Sequence, residues 1–121
     1  MGEPKGIIGE TLTVNQRVFR GRTHEDNRVM IAQRLDSANP KFGINETPVG
    51  GISYGRVKLA NGGEVIISNG GPASVPFRVA LYGRAGDALW QKEYQTEEEA
   101  VAMQKKLYER ETKKIRKKYN L

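Results

Sequence analysis

The fold of this chain is decided by the stretch FRVALYGRAGDALWQKEYQTEEEA, which covers residues 77–100. Apolar and polar residues alternate on both sides of a glycine-containing segment, Arg84–Asp87. Alternation of this kind is typical of strands, and a short glycine segment between two strands is typical of a hairpin turn. The stretch therefore predicts a β-hairpin with strands at Arg78–Tyr82 and Leu89–Tyr94.

A helix is predicted directly after this hairpin. Thr96 and Glu99 have the spacing of a capping box, in which each side chain accepts a hydrogen bond from the other residue's backbone N–H. The helix should run at least to Glu111 and on to about Lys118, because apolar residues recur at helical spacing. These residues are Ala100, Met103, Leu107, Tyr108, Ile115 and Tyr119.

A second hairpin is predicted upstream of the first. Two strand patterns, Ile52–Leu59 and Glu64–Ser68, flank the pair Asn61-Gly62. Asn-Gly supplies the positive φ angles of a two-residue hairpin turn. The predicted core face carries Val57, Leu59, Val65 and Ile67, followed by Phe77, Val79 and Leu81 on the next strand.

The N-terminal part carries weaker signals. Residues 1–48 are predicted to be an extended or loosely structured arm with one or two strands, and residues 49–121 a compact hairpin, hairpin, helix domain. Thr11–Arg20 alternates in strand fashion. Arg28–Leu35 fits a buried strand or a helical turn, and we favour the strand. The predicted class is α+β, with a small antiparallel sheet and one long C-terminal amphipathic helix packed on it.

Composition and charge limit the possible functions. The 121 residues include no cysteine, which excludes disulfides and thiolate metal sites, and the net charge is +6. No apolar run approaches the roughly 20 residues of a membrane span, and we expect an intracellular or virion-associated protein. The segment Lys105–Leu121 holds eight basic and two acidic residues, whereas the remaining chain is balanced. The whole excess of positive charge therefore lies at one end.

This distribution predicts contact with a polyanion. Acidic residues at a helix start and basic ones at its end also complement the helix dipole, and Lys105 and Lys106 could pair with Glu109. The later cluster is too dense for that explanation alone, and neutralised phosphates release counterions. The predicted nucleic-acid-binding residues are Arg56, Lys58, Arg78, Tyr82, Arg84, Lys113, Lys114, Arg116, Lys117 and Lys118.

Part of the chain resembles a known family. Tyr82-Gly-Arg-Ala-Gly86, an aromatic at Tyr94, the Glu97–Ala100 start, the Lys106-Leu107 pair and the Thr112-Lys-Lys stretch are similar to the second half of a WGR domain. The resemblance covers residues 77–121, with tyrosine in place of the motif's tryptophan. It implies a small antiparallel sheet crossed by one helix, and a DNA-end or nucleic-acid contact in which Tyr82 stacks on sugar or base and Arg84 makes polar contacts. AP2-type and integrase arm-binding domains share this architecture.

Catalysis is not predicted. The single histidine, His24, has no other histidine or cysteine at ligand spacing, and Glu97, Glu98 and Glu99 do not face one another on a helix. We expect a non-enzymatic, cofactor-free nucleic-acid-binding module, with DNA favoured over RNA. The alternative is a structural or accessory subunit of a phage virion or ribonucleoprotein whose N-terminal arm packs on a neighbour. Oligomeric state and nucleic-acid preference remain open at this point.

Overall fold

The computed structural model describes residues 23–48 and 50–121 and has an α+β fold. The chain divides into two compact units, and the second comprises residues 39–120. The strands of this second unit are β1 (Tyr54–Lys58), β2 (Glu64–Ser68), β3 (Phe77–Tyr82) and β4 (Ala88–Tyr94). They form one antiparallel sheet in the order β1-β2-β3-β4, which confirms the predicted fold class.

The hydrophobic core lies on one face of this sheet. Val57, Val65 and Leu81 are adjacent in the strand register and are buried, as are Ile67 and Val79. The C-terminal helix packs on the sheet, as the predicted fold class has it. Because successive residues of a strand point to opposite faces, the basic residues between these positions project from the other side of the sheet.

Both hairpins close with the same three-residue loop. In the β1–β2 connection the N–H of Gly62 donates to the carbonyl of Leu59 (3.0 Å), and only Gly62 has a positive φ, 96°. In the β3–β4 connection Gly86 donates to Gly83 (2.9 Å) and has a φ of 87°. The predicted two-residue Asn-Gly turn is therefore wrong. A turn ending in one left-handed glycine joins the strands instead.

The C-terminal helix α2 spans Glu97–Tyr119 and begins where the capping box predicted. The N–H of Glu99 donates to the Thr96 hydroxyl, and the N–H of Thr96 donates to the Glu99 carboxylate, both at 3.2 Å. Asn120 ends the helix in the left-handed conformation, with φ 56° and ψ 50°. The capping box therefore accounts for the start of the helix, and the left-handed backbone of Asn120 marks its end.

The strand favoured at Arg28–Leu35 is wrong, because this segment lies within helix α1, His24–Asp36, of the other unit. The helix starts with a second capping box. Asp26 donates its N–H to the Thr23 hydroxyl at 3.0 Å, and its carboxylate accepts the Thr23 N–H at 3.3 Å. The capping box satisfies two backbone N–H groups at the start of the helix, which favours a helix here over the strand that the short apolar run suggested. The strand predicted at Thr11–Arg20 lies outside the described residues.

Candidate nucleic-acid interface

The outer face of α2 carries a row of cations. Lys106, Arg110, Lys113 and Lys117 are spaced by four, three and four residues, so they fall on one face of the helix and all four are exposed. At 1.5 Å per residue the row extends over about 17 Å. We call these four residues the basic stripe.

The orientation of the stripe follows from the opposite face of α2. Ala100, Gln104 and Leu107 are buried on the side that packs on the sheet, and Ile115 and Tyr119 are buried further along the helix. Because the buried residues occupy one side, the stripe is directed to solvent. Of the six apolar residues predicted to share the buried stripe, four are buried and Met103 and Tyr108 are half-buried, but the buried polar Gln104 was not predicted.

Gln104 ties the helix to the sheet and to the segment before it. Its side chain is fully buried, and its Oε1 accepts the N–H of Gly43 at 2.8 Å. Its Nε2 donates to the carbonyls of Val65 (3.3 Å) and Gly55 (3.5 Å). A buried amide with partners on both of its polar atoms avoids the cost of desolvation without hydrogen bonds. Three parts of the chain are thus fixed relative to one another by one side chain.

The segment before β1 also packs on α2. The ring of Phe42 lies edge-on to Tyr108, with 5.6 Å between the centroids, and the Lys105 ammonium lies 5.7 Å from the Phe42 centroid. Residues 39–48, predicted to be part of the N-terminal arm, belong to the same unit as the sheet. Lys105 is therefore held against an aromatic ring and is not part of the stripe.

Several cations at the end of α2 have partners within the helix. Glu111 accepts from Arg110 at 3.1 Å and from Lys114 at 3.3 Å. Lys118 lies 5.6 Å from the centroid of Tyr119. In the described part of the chain, no ion pair is made by Lys106, Lys113, Arg116 or Lys117. One carboxylate is thus shared between two cations, and the end of the helix keeps a large excess of positive charge.

The predicted cations of the sheet lie on the face away from α2. Arg56 contacts Glu46 at 3.1 Å, and this hydrogen bond raises the pKa of Arg56 above its ordinary value. Arg78 contacts Glu93 at 3.0 Å.

Lys58 lies directly opposite Glu64 in the strand register. Each of the three predicted cations on this face therefore has an acidic neighbour.

Tyr82 and Arg84, the aromatic residue and the turn arginine of the WGR resemblance, lie at one end of the sheet. Tyr82 is half-buried at the end of β3. Arg84 is exposed in the β3–β4 loop, and its aliphatic part crosses the neighbouring loop at Gly62, where an added Cβ would lie 3.0 Å from the Arg84 Cγ. Any side chain at Gly62 would therefore press on Arg84.

The structure separates the predicted residues into two sets. Those of β1 and β3 project from one side of the sheet, whereas α2 and its basic end lie on the other side. Of the four residues of the basic stripe, Lys113 and Lys117 are among the predicted binding residues and Lys106 and Arg110 are not. Lys106 and Arg110 do not belong to a dense run of charges, so counting neighbouring charges does not identify them. Their spacing of four, three and four residues with Lys113 and Lys117 is the signal that places all four on one helix face.

Within residues 23–48 and 50–121, no three acidic or histidine side chains come together in a way that could hold a metal ion. A shallow depression of about 450 Å³ on α2 is lined by Glu97, Glu98, Val101, Ala102 and Lys105. Among the described helices, none is long and apolar enough to cross a membrane.

Comparisons with protein-family models, curated protein sequences and solved structures find no significant match to this chain. They do not bear on the resemblance to WGR domains, which stays a prediction.

Proposed function

We propose that this protein is a non-catalytic nucleic-acid-binding module that contacts phosphates through the basic stripe of α2. The observation that supports the proposal most directly is that Lys106, Lys113 and Lys117 share one exposed face and lack ion pairs within the described residues. Like charges held this close repel one another, and a polyanion removes that repulsion while its counterions are released. The protein would act inside a cell or a virion.

The dimensions of the stripe fit a nucleic-acid backbone. Duplex DNA carries one phosphate per strand for about every 3.4 Å of axis, so a 17 Å stripe lies alongside roughly five phosphates of one strand. The stripe contains no aromatic side chain for stacking and no amide for reading base edges. Contacts of this kind hold the partner by charge and carry little sequence information. DNA is the proposed partner, as the resemblance implies.

The proposal is tested by fluorescence anisotropy with the full chain and short labelled DNA and RNA duplexes and single strands, at low and high salt. One variant combines Lys106→Gln, Arg110→Gln, Lys113→Gln and Lys117→Gln. A matched control combines Arg56→Gln, Lys58→Gln, Arg78→Gln and Arg84→Gln and removes the same charge from the sheet side. We expect the stripe variant to lose roughly 100-fold in affinity at low salt, and its salt slope to fall by roughly 3 to 4.

The control should retain most of the wild-type affinity and slope, because Arg56, Lys58 and Arg78 have acidic neighbours and none of its four residues belongs to the stripe. Equal losses in both variants would contradict a site on the stripe. If the wild type binds the RNA probes more tightly than the DNA probes, the partner is RNA and not DNA. Failure of the wild type to bind any probe at low salt would overturn nucleic-acid binding altogether.

A second candidate function is that of a structural or accessory subunit of a larger assembly, such as a phage virion or a ribonucleoprotein. It is favoured by the arrangement of the cations, because those of the sheet and those of α2 do not form one continuous surface. The pairing of Arg56 with Glu46 and of Arg78 with Glu93 points the same way. A wild-type chain that shows no salt-dependent binding would support this candidate.

A further inference from the structure

The two edges of the sheet differ in how they are closed. At β1, Glu46 and Tyr54 exchange backbone hydrogen bonds of 2.8 and 2.9 Å, and the segment before them passes close to Gly55. At β4, no backbone hydrogen bond reaches the outer edge from any described residue. One edge is covered by the chain itself, and the other presents N–H and C=O groups that no described residue pairs with.

The open strand has the features of a pairing surface. β4 spans seven residues and is the longest strand of the sheet. Leu89 is 58 % exposed, and Gln91 and Lys92 are exposed as well. An edge strand that is long and carries apolar side chains is a template for another strand.

We propose that two copies of this chain pair through β4, antiparallel, with Gln91 of each copy opposite Gln91 of the other. A two-fold axis perpendicular to the sheet passes between these two residues and joins the two sheets of four strands into one continuous sheet. The proposal is independent of nucleic-acid binding.

The charge pattern of β4 selects this register. Trp90 of one copy lies opposite Lys92 of the other, on the same face, where an ammonium over an indole ring is favourable. Leu89 stands at an irregularity of β4, because Leu81 pairs with Trp90 and Tyr82 with Ala88. The regular register therefore begins at Trp90, and no like charges meet within it. A two-fold axis perpendicular to the sheet keeps each sheet face on its own side. The alternative registers therefore differ from this one by two residues, with the axis at Lys92 or at Trp90. Centring on Lys92 opposes two lysines, and centring on Trp90 pairs fewer residues.

The same geometry makes the assembly closed. In an isologous pair both copies use the same surface, so the open edge of β4 is paired in each copy. The remaining edges of the joined sheet are the two β1 strands, which are already covered at Tyr54 by Glu46. We therefore expect a dimer and no larger polymer. Because strand pairing alone buries little surface, the dimer should depend on concentration.

Sedimentation velocity of the full chain over a wide concentration range tests the proposal. Gln91→Lys and Gln91→Glu each place two like charges on the axis, and each should weaken the dimer several-fold. Mixing the two variants places opposite charges there and should restore dimers. Gln33→Lys is the matched control, because it makes the same substitution at an exposed residue of α1. Far-ultraviolet circular dichroism verifies that each variant is folded.

Trp90 is the single tryptophan of the chain, so tryptophan fluorescence, excited selectively over tyrosine, reports on this edge. Its emission should change on dilution of the wild type, and for Gln91→Lys the same change should occur at a several-fold higher concentration. A wild-type chain that stays monomeric at every concentration would overturn the proposal. So would a dimer that persists unchanged in Gln91→Lys, or a mixture of the two variants that does not recover.

Discussion

Two groups of cations on this protein are held in opposite ways. On the outer sheet face, Arg56 and Arg78 each contact a glutamate at 3.0–3.1 Å. On the outer face of α2, Lys106, Lys113 and Lys117 make no ion pair with any described residue. The sheet brings together opposite charges that are 10 and 15 positions apart in sequence, whereas the helix repeats one charge along a single face. Residue type alone therefore does not show which cations are available to a partner.

The basic stripe faces solvent only while α2 keeps its orientation on the sheet. Among the substitutions considered, Gln104→Ala should disturb this orientation most. The substitution removes the partners of the Gly43 N–H and of two strand carbonyls and leaves a cavity. We expect the free energy of unfolding to fall by roughly 2 to 4 kcal/mol. Urea denaturation of the full chain measures it.

The matched control is Lys106→Ala, a substitution on the opposite, exposed face of the same helix. It should change stability by less than about 0.5 kcal/mol. A Gln104→Ala variant as stable as this control would show that the buried amide does not hold the helix in place.

A smaller effect is expected at the start of α2, far from the stripe. Thr96→Ala removes the hydroxyl that accepts the Glu99 N–H. Stability should fall by about 1 kcal/mol, within the usual range of roughly 0.5 to 2 kcal/mol for loss of an N-cap.

Thermal unfolding followed by circular dichroism measures this change, and Thr96→Ser, which keeps the hydroxyl, is the control. If the alanine and serine variants unfold at the same temperature, the capping box contributes nothing to the stability of α2.

The smallest effect concerns the ion pairs of the sheet face. A double-mutant cycle of Arg78→Ala and Glu93→Ala should give a coupling energy below about 1 kcal/mol, because both side chains are more than one-third exposed. The coupling should shrink further at high salt. A coupling well above this value would mean that these pairs stabilise the sheet and do not merely neutralise its surface.

Local signals in the sequence predicted much of the sheet and α2. Strand β2 has the predicted bounds, Glu64–Ser68, and α2 begins directly after Thr96 as the capping box indicated. Helix α1 was missed because its capping box uses Asp26 where glutamate is usual, and its apolar residues form a short run without clear periodicity. Such a run does not distinguish a helix from a buried strand.

The candidate site was predicted only in part. Lys113 and Lys117 belong to a dense basic run that is visible in the sequence, but Lys106 and Arg110 join them only once the helix face is considered. The acidic neighbours of Arg56 and Arg78 could not be read from the chain. Each lies on another segment, and pairing them requires the strand register.

The sequence by itself determined the hairpins, the start and length of α2 and the concentration of positive charge at one end, because turns, caps and helical periodicity act over a few residues. The tertiary structure decided which cations are paired, which sheet edge is covered and why Gln104 is buried. Gln104 meets Gly43 across 61 positions and Val65 across 39. Contacts over such separations exist only after the strands and the helix have packed, and no local pattern encodes them.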